Sequence, residues 1–244
     1  MMGIGLGICG AAVRTGLLFG ALLVVCPAMR AQYPDALVAA PNRYKLVLEN
    51  QFVRLIRVEP DVAPVTAMHT HPGLPMMQVA FTEVHSITTN ANGATRESHR
   101  DARTARYSPG GPDIAHSTRR LSDTPSRSMR IESKLQPDAS VVPGPPLQDS
   151  HFAVEQDNAD FRVTRGKFAP VEKPRLKLSL TRPAVLVFFG RQKWRVRDEK
   201  GHKRNSTFED GDYLIQEPGH FRLDKKLAAR EAEVLVVELK GRVK

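Results

Sequence analysis

The property that most narrows the fold of this chain is that it repeats itself. A shift of 108 residues lays Glu49-Asn50 on Asp157-Asn158, Arg54 on Arg162, Arg57 on Arg165, Val79 on Val187 and Gly93 on Gly201. Further along, a shift of 106 lays Leu121 on Leu227, Glu132 on Glu238 and Lys134 on Lys240. A two-residue length change therefore falls between the two blocks. Self-similarity over this distance, without a shorter period, predicts two copies of one domain rather than a solenoid.

Each copy is written in short segments with little helical period. Tyr44–Leu48, Val53–Val58, Met77–Phe81, Val84–Thr88 and Met129–Ile131 alternate or run apolar in the first half. Phe161–Val163, Leu176–Leu180, Val185–Phe189, Trp194–Val196, Tyr213–Ile215 and Val234–Leu239 do so in the second. Short strands punctuated by turns predict an all-β sandwich or barrel. Asn90-Ala-Asn-Gly93 and Asp198-Glu-Lys-Gly201 read as equivalent hairpin turns. The stretch 136–150, with Val142-Pro-Gly-Pro-Pro146, reads as a linker between a first domain at 42–135 and a second at 151–240.

Residues 1–31 stand apart. They contain no acid, two arginines (Arg14 and Arg30) and the apolar run from Gly16 to Val25. That run is short for a bilayer span, and Ala28 or Ala31 supplies a small residue for cleavage, so the segment reads as a secretory signal or, if retained, as an N-terminal anchor. Both cysteines, Cys9 and Cys26, fall inside it, which leaves the remainder without thiol nucleophiles or thiolate ligands. The expected location is therefore periplasmic or secreted, with membrane attachment only through the leader. The net charge of +10 is scattered, without a zinc finger, an aromatic-basic signature or a long basic block, and predicts no specific nucleic-acid binding. A basic surface does favour small acidic molecules. Sheet edges of this kind pair readily, which allows a homodimer.

The chemistry-bearing feature is His69-Thr70-His71, followed by Ser108-Pro-Gly-Gly111 and then His116. Histidines at i and i+2 of a strand share one face, and a third from a later strand can close a metal site. At these residues the chain resembles the cupin superfamily, in particular exported two-domain cupins. Ala67-Met-His-Thr-His-Pro72 is similar to the first cupin motif, and Ser108–Gly111 with His116 to the second. The resemblance implies two tandem double-stranded β-helix (jelly-roll) barrels, with His69, His71 and His116 as ligands of a divalent ion: Fe, Mn, Ni, Cu or Zn. The motif's glutamate is absent, its position falling on Pro75 or Met76, with Gln78 a few residues late. Four residues, Pro112–Ala115, also separate Gly111 from His116 where the family usually has two, and Arg120 stands for the usual asparagine.

In the second copy the same shifts place Lys177, Ser179 and Arg222 on the three histidines, so the ligands are lost while the turn Pro218-Gly219 is kept. The second domain reads as a degenerate, structural lobe, with Lys177 and Arg222 gripping an anion as the alternative. Two functional readings stay open. One is a metal-dependent enzyme acting on a small anionic or enolisable substrate, by oxygenation, isomerisation or hydrolysis. The other is a non-catalytic bicupin that binds a small ligand or serves as a scaffold, its metal site vestigial.

Overall fold

The computed structural model describes residues 33–60, 63–112, 114–138, 147, 150–170, 176–197, 200–227 and 230–243. The expected leader at 1–31 lies outside them, as does most of the proline-rich stretch 136–150. A single helical turn, α1 (Ala36–Ala39), is capped by the Asp35 carboxylate, which accepts from the Leu37 amide at 2.8 Å. All other regular structure among the described residues is β. The first half runs β1 (Tyr44–Glu49), β2 (Val53–Val58), β3 (Met76–Ala80), β4 (Val84–Asn90), β5 (Thr95–Arg100), β6 (Ala105–Ser108), β7 (His116–Arg120) and β8 (Ser128–Ser133). The second runs β9 (Phe152–Asp157), β10 (Phe161–Phe168), β11 (Leu176–Leu180), β12 (Ala184–Phe189), β13 (Gln192–Arg197), β14 (Lys203–Phe208), β15 (Tyr213–Gln216), β16 (Gly219–Lys226) and β17 (Ala232–Leu239).

Each half closes a five-stranded antiparallel sheet against a smaller one. The large sheets have the order β1-β2-β8-β3-β6 and β15-β12-β17-β10-β9, the smaller ones β5-β4-β7 and β11-β16-β13-β14. This is the expected fold class, two tandem jelly-roll barrels. The repeat extends to strand register. Arg54 faces Glu132 as Arg162 faces Glu238, and Met77 faces Ile131 as Val185 faces Val237. Even an irregularity recurs: β1 skips Val47 between Leu46 and Leu48, and β9 skips Glu155 between Val154 and Gln156. Pairing keeps the shift of 108 as far as Ser108 and Gln216, then needs 106 at Arg120 and Lys226. The length change thus sits in the β6–β7 loop, which carries the Pro-Gly turn. Gly93 and Gly201 both have φ of 84°, a left-handed turn conformation that favours glycine.

The strands without an apolar signature in the sequence are β5, β6, β7, β9, β14 and β16. β5 reads Thr-Arg-Glu-Ser-His-Arg and β14 Lys-Arg-Asn-Ser-Thr-Phe. Their ladder hydrogen bonds to β4 and β13 are made by backbone alone, so periodicity of side chains does not mark them.

The two barrels share one core. Alternate residues of the large sheets (Val53 and Leu55, Met77 and Val79, Met129 and Ile131) pack against Phe161, Val163, Val185, Val187, Leu235 and Val237 of the other barrel. Phe81 and Phe189, which are equivalent in the repeat, meet edge to face with centroids 6.1 Å apart. Contact between equivalent residues is the mark of a two-fold interface, here within one chain. Polar contacts rim it: Arg103 to Glu233 at 3.1 Å, Gln156 to the Ala105 carbonyl at 2.7 Å, and the Tyr213 hydroxyl to the Val47 carbonyl at 3.3 Å. Residues 33–135 expressed alone expose this apolar face, so they are expected to aggregate or oligomerise rather than give a monomeric cooperative melt. Size-exclusion chromatography with thermal unfolding checks it.

Candidate metal centre

The three histidines of the sequence prediction converge. Nitrogens of His69, His71 and His116 lie within 4.8 Å of one another, the one such cluster among the described residues. Their rings form a near-equilateral set, with centroids 4.6, 5.0 and 5.2 Å apart. The local fold differs from expectation in one respect. His69–His71 is not part of a continuous strand but is held by isolated bridges, His69 to His116 and Thr70 to Asp35. His69 and His116 exchange two backbone hydrogen bonds of 2.9 Å, while Thr70 bonds on its other side to Pro34 and Ala36. Pro72, which has no amide hydrogen, follows at once. The alternation that aims His69 and His71 together therefore survives in a segment too short to count as a strand.

Two of the imidazoles are set in a ligand-ready tautomer. His69 Nδ1 donates to the Ala67 carbonyl at 2.7 Å, and His116 Nδ1 to the Ile114 carbonyl at 2.9 Å. Each Nε2 then carries the lone pair. His69 is fully buried and its Nε2 has no hydrogen-bond partner, a vacancy that a metal would fill. Tyr44 packs against both His69 and His71, centroids 5.1 and 5.6 Å away. His71 Nε2 accepts from Arg130 Nη1 at 2.9 Å, so that guanidinium must give way before His71 can ligate through the same atom.

Burial holds both histidines neutral. The His69 imidazole is pushed down to about 4, chiefly by desolvation, and further by the neighbouring His116, Arg130 and Arg43 charges. His71 is pushed lower still, by desolvation and then by Arg130. The motif's missing carboxylate has a near neighbour that the sequence reading passed over. Glu132 lies directly across from Met76 in the β3–β8 ladder. It is bonded instead by Arg130 at 3.2 Å and Arg54 at 3.4 Å, and burial raises its carboxyl above the usual range. Gln78 donates to the Ser128 hydroxyl at 3.2 Å and makes no contact with the histidines. In the second barrel Lys177 still pairs with Arg222 in register, as His69 does with His116, but the side chains of Lys177, Ser179 and Arg222 lie outside the described part.

The two motifs are stitched together at Gly110. A Cβ there would meet the Gly73 carbonyl and Pro75 Cδ at 2.8 Å, and the next amide, Gly111, donates to the same carbonyl at 2.9 Å. Glycine is needed at 110 because the turn lies close against the loop that follows His71, whereas a Cβ at Gly111 would meet nothing within 4 Å.

No protein-family sequence model and no curated protein sequence matches the chain. Solved structures do. Oxalate decarboxylase of Bacillus subtilis, in a structure studied for its Mn(II) centres, aligns with a TM-score of 0.52 at 10% identity, over 79% of this chain and 70% of that one. The protein YhaK from Escherichia coli aligns with a TM-score of 0.51 at 14% identity, over 80% of this chain and 88% of that one. The fold is that of a bicupin. The residues of the site missed by sequence reading are Tyr44, Arg43, Arg130 and Glu132. A signal existed for the last two, since Arg130 stands where the second copy has Val236, and Glu132 recurs as Glu238 opposite an arginine.

Two outcomes follow for this site. The folded protein refuses a proton at His69 until about pH 4, whereas the unfolded chain accepts one near 6.5. The unfolded state thus binds more protons in that window, and stability falls with pH from 6.5 to 4 by up to about 1.4 kcal/mol per pH unit for each such histidine. Urea titrations at several pH values are expected to show a shallower dependence in a His69→Gln/His71→Gln variant than in the parent. Gly110→Ala, read by the same denaturation, is expected to cost about 1–3 kcal/mol through overpacking.

Proposed function

We propose that this is an exported bicupin whose first barrel binds a divalent metal ion through His69, His71 and His116 and holds a small anionic molecule beside it. The observation that carries the metal is the convergence of three imidazoles, with the buried, unpartnered Nε2 of His69 among them. When bound, such an ion supplies Lewis acidity or, if redox-active, electron transfer. The Mn(II) centres of the decarboxylase with the same fold support a divalent ion, and three neutral nitrogens are compatible with Fe, Mn, Ni, Cu or Zn. Three uncharged ligands leave the ion's charge uncompensated, which favours an anionic partner. Export rests on the acid-free apolar run within residues 1–31. The partner class is a small molecule, with no specific nucleic-acid site and no membrane contact beyond the leader; sheet edges of this kind also allow a homodimer.

A second reading has one observation in its favour. Arg130 already occupies the lone pair of His71, as it would in a barrel that binds a ligand without metal and retains the histidines as polar lining. Elemental analysis decides between the two. Protein purified without chelator or affinity histidines is expected to carry near-stoichiometric metal, and a His69→Ala/His71→Ala variant to carry none. Metal absent from both, with no uptake on titration with Fe, Mn, Ni, Cu and Zn, would replace the metal centre by the metal-free ligand site.

A further inference from the structure

The repeat provides an internal control on what the first barrel's interior is for. Its cavity has a volume of about 610 Å³ and is lined by five arginines, Arg43, Arg96, Arg100, Arg106 and Arg130. The second barrel has the same strands in the same register, with an apolar filling. Where β3, β6 and β8 present Gln78 between Arg106 and Arg130, β12, β15 and β17 present Leu186 between Leu214 and Val236. Where Arg100 faces Val84, Phe208 faces Gln192, and Ser86 and Thr88 correspond to Trp194 and Val196. These second-barrel residues pack together in one cluster, with Phe188 stacked on Phe208 at 3.8 Å. At the positions of Arg100, Arg106 and Arg130 the fold itself is therefore satisfied by the hydrophobic side chains of Phe208, Leu214 and Val236.

Those guanidinium groups are poorly served by their own protein. Arg100 has Nε and Nη1 buried without a hydrogen-bond partner, and so has Nε of Arg43, which is only 6% exposed. Arg106 donates Nη1 to the Ser98 hydroxyl, an uncharged acceptor. Glu132, the one acidic residue lining the cavity among the described residues, is taken by Arg130 and Arg54. Burial lowers Arg100 to about 10, helped by the charges of Arg106 and Arg130, which lie on the other sheet of the barrel. Like charges gathered in a hollow, with donors unmet, are costly unless something anionic completes them. Arginine's planar fork suits oxyanions in particular.

We propose that the cavity takes a small organic polyanion, a molecule with at least two carboxylate or phosphate groups, one lying toward the three histidines and another held by Arg100 and Arg106. This deepens the anionic-ligand reading above and rests on it, but not on the metal. Arg100 and Arg106 are the specificity-determining residues. They select charge at a distance from the histidine end, and a monoanion of the same length leaves them unmet.

The test is isothermal titration of the intact protein, both metal-loaded and metal-free, with tricarballylate, 3-phosphoglycerate and butyrate. Tricarballylate or 3-phosphoglycerate is expected to bind at least tenfold more tightly than butyrate, and the preferred one tells carboxylate from phosphate. An Arg100→Leu/Arg106→Leu variant, patterned on Phe208 and Leu214, is expected to lose that preference. Its ligand-free melting temperature is expected to equal or exceed the parent's, which a merely structural role for the arginines would not produce. Should the double variant not fold, the single variants Arg100→Gln and Arg106→Gln carry the same measurement. Equal binding of butyrate and the polyanions, or polyanion binding unchanged in the variants, would overturn the proposal. Protein that takes up metal but binds no polyanion overturns this inference alone. Protein that binds polyanion through the arginines but takes up no metal on titration overturns only the metal centre.

Discussion

Apart from a small cluster of Ala36, Ala40, Tyr44, Ile56 and Val58, the first barrel has little apolar packing of its own, and the rest of the molecule is arranged around that fact. A hollow lined by arginine, serine, threonine and histidine contributes little hydrophobic stabilisation, which at roughly 25 cal/mol per Å² of buried apolar surface must come from elsewhere. It comes from the outer face of the β1-β2-β8-β3-β6 sheet, where Val53, Leu55, Met77, Val79, Met129 and Ile131 are buried against the second barrel. The second barrel is apolar on both faces of its large sheet: inward around Trp194 and Phe188, outward onto the first. Both barrels contribute side chains to the shared core, and the second adds an apolar core of its own. That is a physical reason for the chain to keep the second lobe, in which Lys177, Ser179 and Arg222 stand at the positions equivalent to the three histidines.

The charged residues of the first barrel divide by partner. Arg54 and Arg130 clasp Glu132, and the equivalent Arg162 and Glu238 face each other in register in the second barrel. Elsewhere in the cavity the balance fails, and Arg43 and Arg100 retain unmet donors. The histidine cluster sits at the junction, with His71 hydrogen-bonded to the same Arg130 that holds Glu132. Occupancy of the site and the arginine network are coupled through that one guanidinium. A ligand that draws Arg130 away would free His71 for a metal.

Much of this was legible from residues alone, for identifiable reasons. The repeat was visible because equivalent positions keep structural residues, such as the glycines of the hairpin turns and the arginines at 54 and 162. Strands such as Val53–Val58 and Ala232–Leu239 were visible because one or both faces are buried, and burial writes itself into the run of apolar residues. β5, β7 and β14 were not, because their faces are largely polar and they owe their place to backbone pairing. The histidine triad was legible from spacing and from the glycine turn. The company it keeps was not, since Tyr44, Arg130 and Glu132 lie tens of residues from the motif in sequence.

By itself, then, the sequence determined the number of copies, the strand pattern, the three histidines and the loss of those ligands in the second copy. Each is a local property, set by which residues alternate and which turns need glycine. Only the tertiary structure decided that the first barrel is hollow and the second filled, and that Arg43, Arg100, Arg106 and Arg130 open onto one cavity. Alternation says which side chains share a face of a strand. Whether that face looks into solvent, a packed core or an empty barrel depends on how the sheets curve and close, and that is fixed by contacts between residues far apart in the chain.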